Sequence, residues 1–238
     1  MPDDDRVEIT GSALDGAEGV TSTRSWAVAA AVGLVLLAGL AVWAAFSGVG
    51  PAAADAGALR TAVAARTPGL TTAAILITTV GSTVAMAVLA AVAGAVLWAR
   101  GRPGDAAFLV LTTAAASLVF RSLKIVLDRP RPPVATRVVV ETNESLPSGH
   151  ATMSFVVIGA LVVLAWAGRA VQTRVLLVLA AAAWIGLVGT TRIYLGVHWL
   201  SDVVAGWAVG AAWLTVCALV WTWWRNRVPY VARHRSTV

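Results

Sequence analysis

The chain has 238 residues, of which 58% are hydrophobic and only 13% are charged, and its mean hydropathy is +0.80. A soluble globular domain keeps roughly a quarter of its residues charged, so this composition excludes both a soluble enzyme and a disordered chain. The net charge of +6 indicates membrane orientation and anionic substrates, and not a nucleic-acid partner.

The first 25 residues are polar, acidic and rich in small side chains. They carry too little apolar surface to offset the entropy lost on ordering, so residues 1–25 are predicted to be a mobile tail. The apolar stretch that follows runs from Trp26 to Phe46. Its length and the acidic residues before it favour a retained membrane span over a cleaved signal peptide.

Six apolar segments from Trp26 onward are long enough to cross a hydrocarbon core of about 30 Å as helices. Helices are expected because an open sheet would leave backbone groups unpaired in lipid. The sequence therefore predicts an all-α polytopic membrane protein, a six-helix bundle, with a basic cytoplasmic tail over residues 225–238. The predicted spans, which make up one domain over residues 26–224, are 26–46, 72–98, 106–127, 149–167, 174–194 and 203–224. Residues 47–70 are predicted to be an outer loop with room for a short interfacial helix, and no chemistry is assigned to them.

The orientation follows from the basic residues in the short connections, because these are retained on the cytoplasmic side. With the N-terminus inside, nine arginines are cytoplasmic and seven basic residues lie outside; without the three argued below to serve chemistry, the ratio is nine to four. Both termini are therefore predicted to be cytoplasmic in a multi-pass protein of the cell (plasma) membrane. The inner arginines are Arg24, Arg100, Arg102, Arg169, Arg174, Arg225, Arg227, Arg233 and Arg235.

Basic residues cluster where the third predicted span ends, in FRSLKIVLDRPRPP. An ionisable group at the centre of a span costs at least about 2.5 to 3.5 kcal/mol, so each one needs a reason to be retained. The prolines stop the helix and place Lys124 and Arg131 at its outer end. For Arg121, Arg129 and Arg137, snorkelling to lipid head groups explains the charge equally well.

The sequence LPSGHATMSF opens the fourth predicted span. Ser148 can cap that helix, Gly149 allows close backbone approach, and the free amides of the helix N-terminus beside His150 form a site for an anion. A serine and glycine before a helix are often only a cap. This segment therefore indicates an anion site only together with the other two polar segments.

The sequence TTRIYLGVHWLSDVV joins the fifth predicted span to the sixth. His198 and Asp202 are four residues apart, and they share a face if the last helix begins near Gly196. The carboxylate can then accept a hydrogen bond from the imidazole Nδ1–H and leave Nε2 free for chemistry. Arg192 supplies a planar cation that can bind phosphate oxygens through two nitrogens.

Six spans place the third-to-fourth loop and the fifth-to-sixth loop on the same side of the membrane. Three cations, two histidines, a carboxylate and a helix N-terminus can therefore converge there. Such a set of positive charges fits a phosphoryl group, whose oxygens carry negative charge through the transition state. No cluster of carboxylates or cysteines is predicted beside them to hold a metal ion.

These three segments resemble the type 2 phosphatidic acid phosphatase superfamily, whose signature is KxxxxxxRP, PSGH and SRxxxxxHxxxD. Here the motifs begin at Lys124, Pro147 and Thr191, and every spacing matches. Thr191 stands in place of the serine and keeps its hydroxyl. The resemblance implies a membrane phosphatase that uses no metal or other cofactor.

The resemblance also implies a role for each matching residue. His198 is expected to be the nucleophile that forms a phosphohistidine, Asp202 its orienting partner, and His150 the general acid and later the base. The phosphate-binding residues implied are Lys124, Arg131, Ser148, Gly149 and Arg192.

The predicted substrate is a lipid phosphate or pyrophosphate at the extracytoplasmic face, with its tail in the bilayer. The resemblance implies polyprenyl pyrophosphate such as the undecaprenyl carrier, phosphatidic acid or phosphatidylglycerophosphate, with a slight preference for the polyprenyl carrier. Two alternatives remain: a phosphotransferase that uses an acceptor other than water, and a lipid-phosphate binder or transporter without turnover.

Overall fold

The structure, a computed structural model, describes the backbone of residues 8–235 and the side chains of residues 25–227. The described part of the chain is all helical, as the sequence predicts. Two 3₁₀ turns, Gly50–Ala54 and Val134–Thr136, accompany the helices. The α-helices are α1 (Glu8–Ser47), α2 (Asp55–Ala64), α3 (Pro68–Val80), α4 (Thr83–Ala99), α5 (Pro103–Leu127), α6 (Gly149–Ala165), α7 (Val171–Tyr194) and α8 (Leu200–Arg235).

Helices cover every predicted span, although the number of membrane crossings is less uniform than predicted. Four helical segments, containing α1, α5, α7 and α8, are each long and apolar enough to cross a membrane, and α3 with α4 forms a fifth candidate. Helix α6 is apolar but has only 17 residues. A total of six crossings therefore stays a prediction, as does the mobility of residues 1–25, whose side chains lie almost wholly outside the described residues.

The second predicted span is two helices and not one. α3 and α4 meet at Gly81 and Ser82 and are bent by 45° relative to one another. The Ser82 hydroxyl accepts a hydrogen bond from Ala85 N at 3.1 Å, which caps the start of α4. The break brings the N-terminus of α4 to the wall of the cavity described below.

Helix α6 lies at the centre of the bundle, packed against α4, α5, α7 and α8. Its residues Met153, Val156 and Val157 are fully buried and form one core with Leu109 and Phe120 of α5. Because α6 is surrounded, its N-terminus is held in a fixed place at one end of the bundle.

Close contact between α6 and α8 depends on two glycines of α8. A Cβ on Gly206 would lie 2.8 Å from the Ser148 carbonyl oxygen, and one on Gly210 would lie 2.9 Å from Phe155 Cβ. Small residues spaced by four let helix backbones approach in this way. The two glycines therefore serve packing within the chain.

Large apolar side chains cover the outside of the bundle, as expected for helices that face lipid. Tryptophans near the helix ends, including Trp26, Trp98, Trp166 and Trp223, are also exposed, where indole rings favour the membrane interface. The chain is thus a membrane protein in composition and in surface.

Candidate active site

Three polar segments meet at the end of the bundle where α6 begins. Ser148 N donates to Asp202 O at 3.0 Å, which joins the start of α6 to the first turn of α8. The loop after α5 joins the turn after α7 through Val138 N and Leu195 O at 2.9 Å. The three sequence motifs, which are far apart along the chain, are therefore adjacent in the fold.

His198 lies in the turn before α8 and is 2% exposed. Its side chain borders the cavity, its Nε2 atom is 3.2 Å from Arg131 Nη1, and its Nδ1 atom is 3.4 Å from Asp202 Oδ2. A proton on Nδ1 would face the carboxylate and leave the Nε2 lone pair on the side of Arg131. The predicted pairing of His198 with Asp202 is thus present in the geometry.

The last helix begins at Leu200, later than the start near Gly196 that was the condition for His198 and Asp202 to share one helical face. Asp202 sits in the first turn, and its Oδ2 accepts the backbone N–H of Trp199 at 2.9 Å. A carboxylate at this helix position commonly binds the backbone before the helix, which explains the late start. The same oxygen also accepts from the Ser145 hydroxyl at 2.5 Å.

Burial lowers the pKa of His198 to about 3. The hydrogen bond to Asp202 opposes this effect, whereas the positive charge of Arg131 adds to it. His198 is therefore neutral at physiological pH, which is the form with a free lone pair.

The guanidinium of Arg131 is held by Asn143 of the same loop and by Val197 of the turn before α8. Its Nε donates to Asn143 O at 2.6 Å, its Nη2 to Asn143 Oδ1 at 2.5 Å, and its Nη1 to Val197 O at 2.5 Å. These bonds fix the guanidinium plane beside Nε2 of His198. Although burial lowers its pKa, an arginine stays charged in a protein.

Lys124 and Arg192 are both buried at this end of the bundle. Lys124 Nζ donates to the carbonyl oxygens of Glu144 and Ser145. Arg192 donates through Nη1 to Thr78 Oγ1 at 2.7 Å and through Nη2 to the carboxylate of Glu141. Arg192 does not itself line the cavity; it contacts Glu141, which does.

The residues of the PSGH motif adopt only part of their predicted arrangement. The Ser148 hydroxyl does not cap α6, and it has no hydrogen-bond partner among the residues that the structure describes. This side chain is fully buried and does not line the cavity, although its neighbours in the motif do. Gly149 and His150 both border the cavity.

The cavity has a volume of about 450 Å³. Polar walls come from α5, the loop after α5 and the start of α6, while Val84 and Ile125 add apolar surface at its side. The residues that line it are Ser82, Thr83, Val84, Phe120, Arg121, Lys124, Ile125, Arg131, Glu141, Asn143, Glu144, Gly149, His150 and His198. A site of this kind can bind an anionic head group and keep the attached chain in lipid.

Several residues of the site were missed by the sequence interpretation. Arg129 does not snorkel: its guanidinium contacts Asp55 and Asp202, and its side chain is 12% exposed. Arg137 also binds protein, through Pro132 O at 2.9 Å.

Asp55 lies in the segment 47–70, to which no chemistry was assigned. No pattern in the sequence distinguishes Ser145 or Glu141 from the other residues of their loop.

Comparison with known proteins gives a consistent result. A family model described as the PAP2 superfamily matches residues 105–227, which contain all three motifs. The curated phosphatidylglycerophosphatase B of Bacillus subtilis (strain 168) is 29% identical over 160 residues, which cover 66% of this chain and 78% of that protein.

Two crystal structures share the fold. One is described as the first transmembrane PAP2 type phosphatidylglycerolphosphate phosphatase from Bacillus subtilis; its TM-score is 0.67 at 24% identity, over 79% of this chain and 93% of that chain. The other is LpxE of Aquifex aeolicus, with a TM-score of 0.54 at 24% identity, over 71% of this chain and 94% of that chain.

Proposed function

This chain belongs to the PAP2 superfamily, and from that membership we propose that it is a membrane phosphatase that removes phosphate from a lipid. The observation that carries the proposal is the 3.2 Å contact of His198 Nε2 with Arg131 Nη1, at the cavity that both residues border. A nucleophile and a phosphate-binding cation are thereby adjacent in a water-accessible pocket.

The first chemical step is attack by the neutral imidazole of His198. Nε2 forms a bond to phosphorus while the bond from phosphorus to the lipid oxygen breaks, which gives a phosphohistidine and an alcohol. Asp202 accepts the Nδ1–H and stabilises the positive charge that develops on the ring. The low pKa of His198 keeps the ring unprotonated before attack.

His150 is the general acid of this scheme. It borders the same cavity at the start of α6 and gives its proton to the departing alcohol oxygen. In the second step it takes a proton from water, which attacks the phosphohistidine and releases inorganic phosphate. Proton transfer by a positioned side chain of this kind contributes about a hundredfold to ten-thousandfold in rate.

Positive charge around the cavity binds the phosphoryl oxygens. Lys124 and Arg131 border the cavity, and Arg192 is buried behind Glu141. When a phosphate displaces the Glu141 carboxylate, Arg192 can bind it through two nitrogens. The amide of Gly149, which borders the cavity, adds a hydrogen-bond donor at the helix N-terminus. Ser148 lies directly behind it, with an unpaired hydroxyl that would have to turn toward the cavity to contribute.

The curated relative, a phosphatidylglycerophosphatase, favours a phosphate monoester as substrate. We therefore propose phosphatidylglycerophosphate or phosphatidic acid ahead of the polyprenyl pyrophosphate that the motifs alone suggested. The activity of the curated relative supports the first of these.

We place the reaction at the extracytoplasmic face of the plasma membrane, with both termini in the cytoplasm. The arginine count of the connections supports this orientation. Cysteine accessibility, measured with an impermeant thiol reagent on a cysteine introduced at exposed Val140 in a Cys217→Ser background, tests it. Labelling of intact cells agrees with the proposal, whereas labelling only after lysis contradicts it.

The activity itself is tested by phosphate release from three lipids by the purified protein in detergent. Phosphatidylglycerophosphate, phosphatidic acid and polyprenyl pyrophosphate are supplied in parallel, each with EDTA, because we also propose that no metal takes part. His198→Ala should reduce release by at least about a thousandfold while the protein stays folded.

Three results would contradict parts of this proposal. Equal activity of His198→Ala would reject the nucleophile, and loss of activity in EDTA that added metal restores would reject metal independence. Lack of release from all three lipids by folded protein would favour a phosphotransferase or a binding protein. In that case, transfer of labelled phosphate to a glycerol or lipid acceptor would identify the phosphotransferase.

A further inference from the structure

Asp55 is a buried acidic residue at the first position of α2, 7% exposed. Its Oδ1 atom accepts the backbone N–H of Ser201 at 2.8 Å, and its Oδ2 atom accepts the Ser201 hydroxyl at 2.6 Å. Oδ2 also pairs with Arg129 Nη2 at 2.9 Å. Asp55 therefore links the segment before α3 to the start of the helix that carries Asp202.

Arg129 connects Asp55 to the catalytic carboxylate. While Nη2 binds Asp55, Nη1 lies 2.5 Å from Asp202 Oδ1 and 2.8 Å from the Ser201 hydroxyl. A guanidinium is planar and rigid, so anchoring one of its nitrogens fixes the direction of the other. The position of Asp55 thus determines where Arg129 meets Asp202.

The contact with Arg129 is one of three that orient the Asp202 carboxylate toward His198. Oδ1 is bound to Arg129, and Oδ2, which also accepts from Ser145 and Trp199, is the oxygen near His198 Nδ1, at 3.4 Å. Rotation of the carboxylate would break the ion pair with Arg129, and an unpaired buried charge is costly. A carboxylate fixed in this way holds the imidazole in one orientation.

We propose that Asp55 and Arg129 are positioning residues for the phosphatase reaction, acting through Asp202 on His198. This inference rests on the proposed function, because it assigns a role in the same chemical step. Neither residue borders the cavity, so neither is expected to touch the substrate; Asp55 lies outside the three motifs, and Arg129 occupies a variable position of the first. Their loss should lower kcat and leave KM nearly unchanged.

Asp55 also has a structural role, which the experiment must distinguish from the proposed positioning role. Its bond to Ser201 N occupies a backbone donor in the first turn of α8, as a helix cap would. Asp55→Asn retains an amide oxygen for that donor and removes the charge that anchors Arg129. Asp55→Ala removes both. A purely structural residue would tolerate asparagine better than alanine, whereas a positioning residue would lose kcat with either.

The experiment compares kcat and KM for lipid phosphate hydrolysis by the wild type, Asp55→Asn, Asp55→Ala and Arg129→Lys. Arg129→Lys keeps one charge but cannot join both carboxylates. We expect kcat to fall about tenfold to a hundredfold in each variant, because small displacements of a reacting group cost that much. KM should stay within about threefold, since the phosphate-binding side chains are unchanged.

Asp105→Asn is the matched control. Asp105 pairs with Arg102 at 2.5 Å, at the opposite end of α5, where the arginine is 49% exposed. Removing an exposed ion pair has little effect, so kcat should stay within about twofold of the wild type.

A second comparison tests the path of the effect. Asp55→Asn is added to Asp202→Asn, and the double variant should be no slower than Asp202→Asn alone, because the Asp55 effect passes through Asp202. Additive losses would overturn the inference, as would an Asp55→Asn enzyme with wild-type kcat. If Asp55→Asn does not fold, Arg129→Lys is judged by the same two criteria. If the wild type has no phosphatase activity, both the proposed function and this inference are overturned. If the wild type is active and the variants are equally active, only this inference is overturned.

Discussion

Arg131 directs Nη1 at Nε2 of His198 from 3.2 Å, so the lone pair proposed to attack phosphorus accepts a hydrogen bond from a cation proposed to bind the phosphate. An incoming phosphoryl oxygen competes with Nε2 for this donor. Binding of the substrate can therefore free the nucleophile at the place where it is needed.

Arg131→Lys should lower kcat/KM by about a hundredfold, a larger loss than conservation of charge would suggest. The guanidinium uses its three nitrogens for Asn143, Val197 and His198, and an ammonium cannot match that geometry. Steady-state kinetics with the lipid substrate measures the loss. Arg137→Lys, in the same loop but bound only to backbone carbonyls, is the control and should stay within about threefold.

Acidification should destabilise the protein partly through His198. In the folded state its pKa is lowered to about 3, whereas an unfolded histidine titrates near its ordinary value of 6.5. Between these values the unfolded chain binds more protons, so the free energy of unfolding falls as the pH falls from 6.5. Thermal unfolding in detergent at pH 7 and pH 5 should show a larger drop in Tm for the wild type than for His198→Gln. Equal drops would contradict the burial of a neutral ring.

Glu141→Gln should strengthen the binding of phosphate. Glu141 pairs with Arg192, and its second oxygen is 3.7 Å from Arg131, so its charge neutralises cations that the substrate needs. Removing the charge should lower the inhibition constant of inorganic phosphate and the KM of the lipid, each about fivefold, corresponding to about 1 kcal/mol. Competitive inhibition assays measure both constants. A rise in both would show instead that Glu141 orients Arg192 for binding.

Gly196→Ala should destabilise the turn that carries His198. Gly196 has a φ of +72°, and a Cβ there would collide with the Thr136 carbonyl oxygen. The collision and the left-handed backbone together should cost about 2 to 4 kcal/mol, and kcat should fall because the turn must move. Gly168→Ala is a matched control: Gly168 has the same φ of 72°, but a Cβ there would have open space. Only the smaller backbone cost should appear in its thermal unfolding.

The sequence was most informative where chemistry requires fixed spacing. The motif residues Lys124, Arg131, His150 and His198 border one cavity because the alternation of spans brings their loops to one end of the bundle. Apolar stretches likewise predicted the helical segments that face lipid, although the second of them is two helices, since a lipid-facing helix needs a long run of apolar residues. Patterns of both kinds are local, and can therefore be found without knowing the fold.

The sequence could not predict contacts between distant polar residues. Asp55 is a single acid in an alanine-rich segment, and its partner Ser201 is 146 positions away. Arg129 lies at the predicted membrane boundary, directly before Pro130. A basic residue at such a boundary is expected both for snorkelling and for an ion pair, so the sequence does not separate the two. The break in the second span did carry a signal, since Gly81 and Ser82 interrupt an apolar run and the serine caps the following helix. Interruptions of this kind are common enough in membrane helices that the bend itself required the structure.

The shortness of α6 has a consequence for how the substrate is reached. Its 17 residues extend only about 25 Å, less than the hydrocarbon thickness of about 30 Å that an average bilayer presents. Because α6 is enclosed by other helices, among them the longer α5 and α7, we expect the cavity at its N-terminus to lie at the depth of the lipid head groups. A phospholipid then needs no extraction from its leaflet to place its phosphate in the cavity.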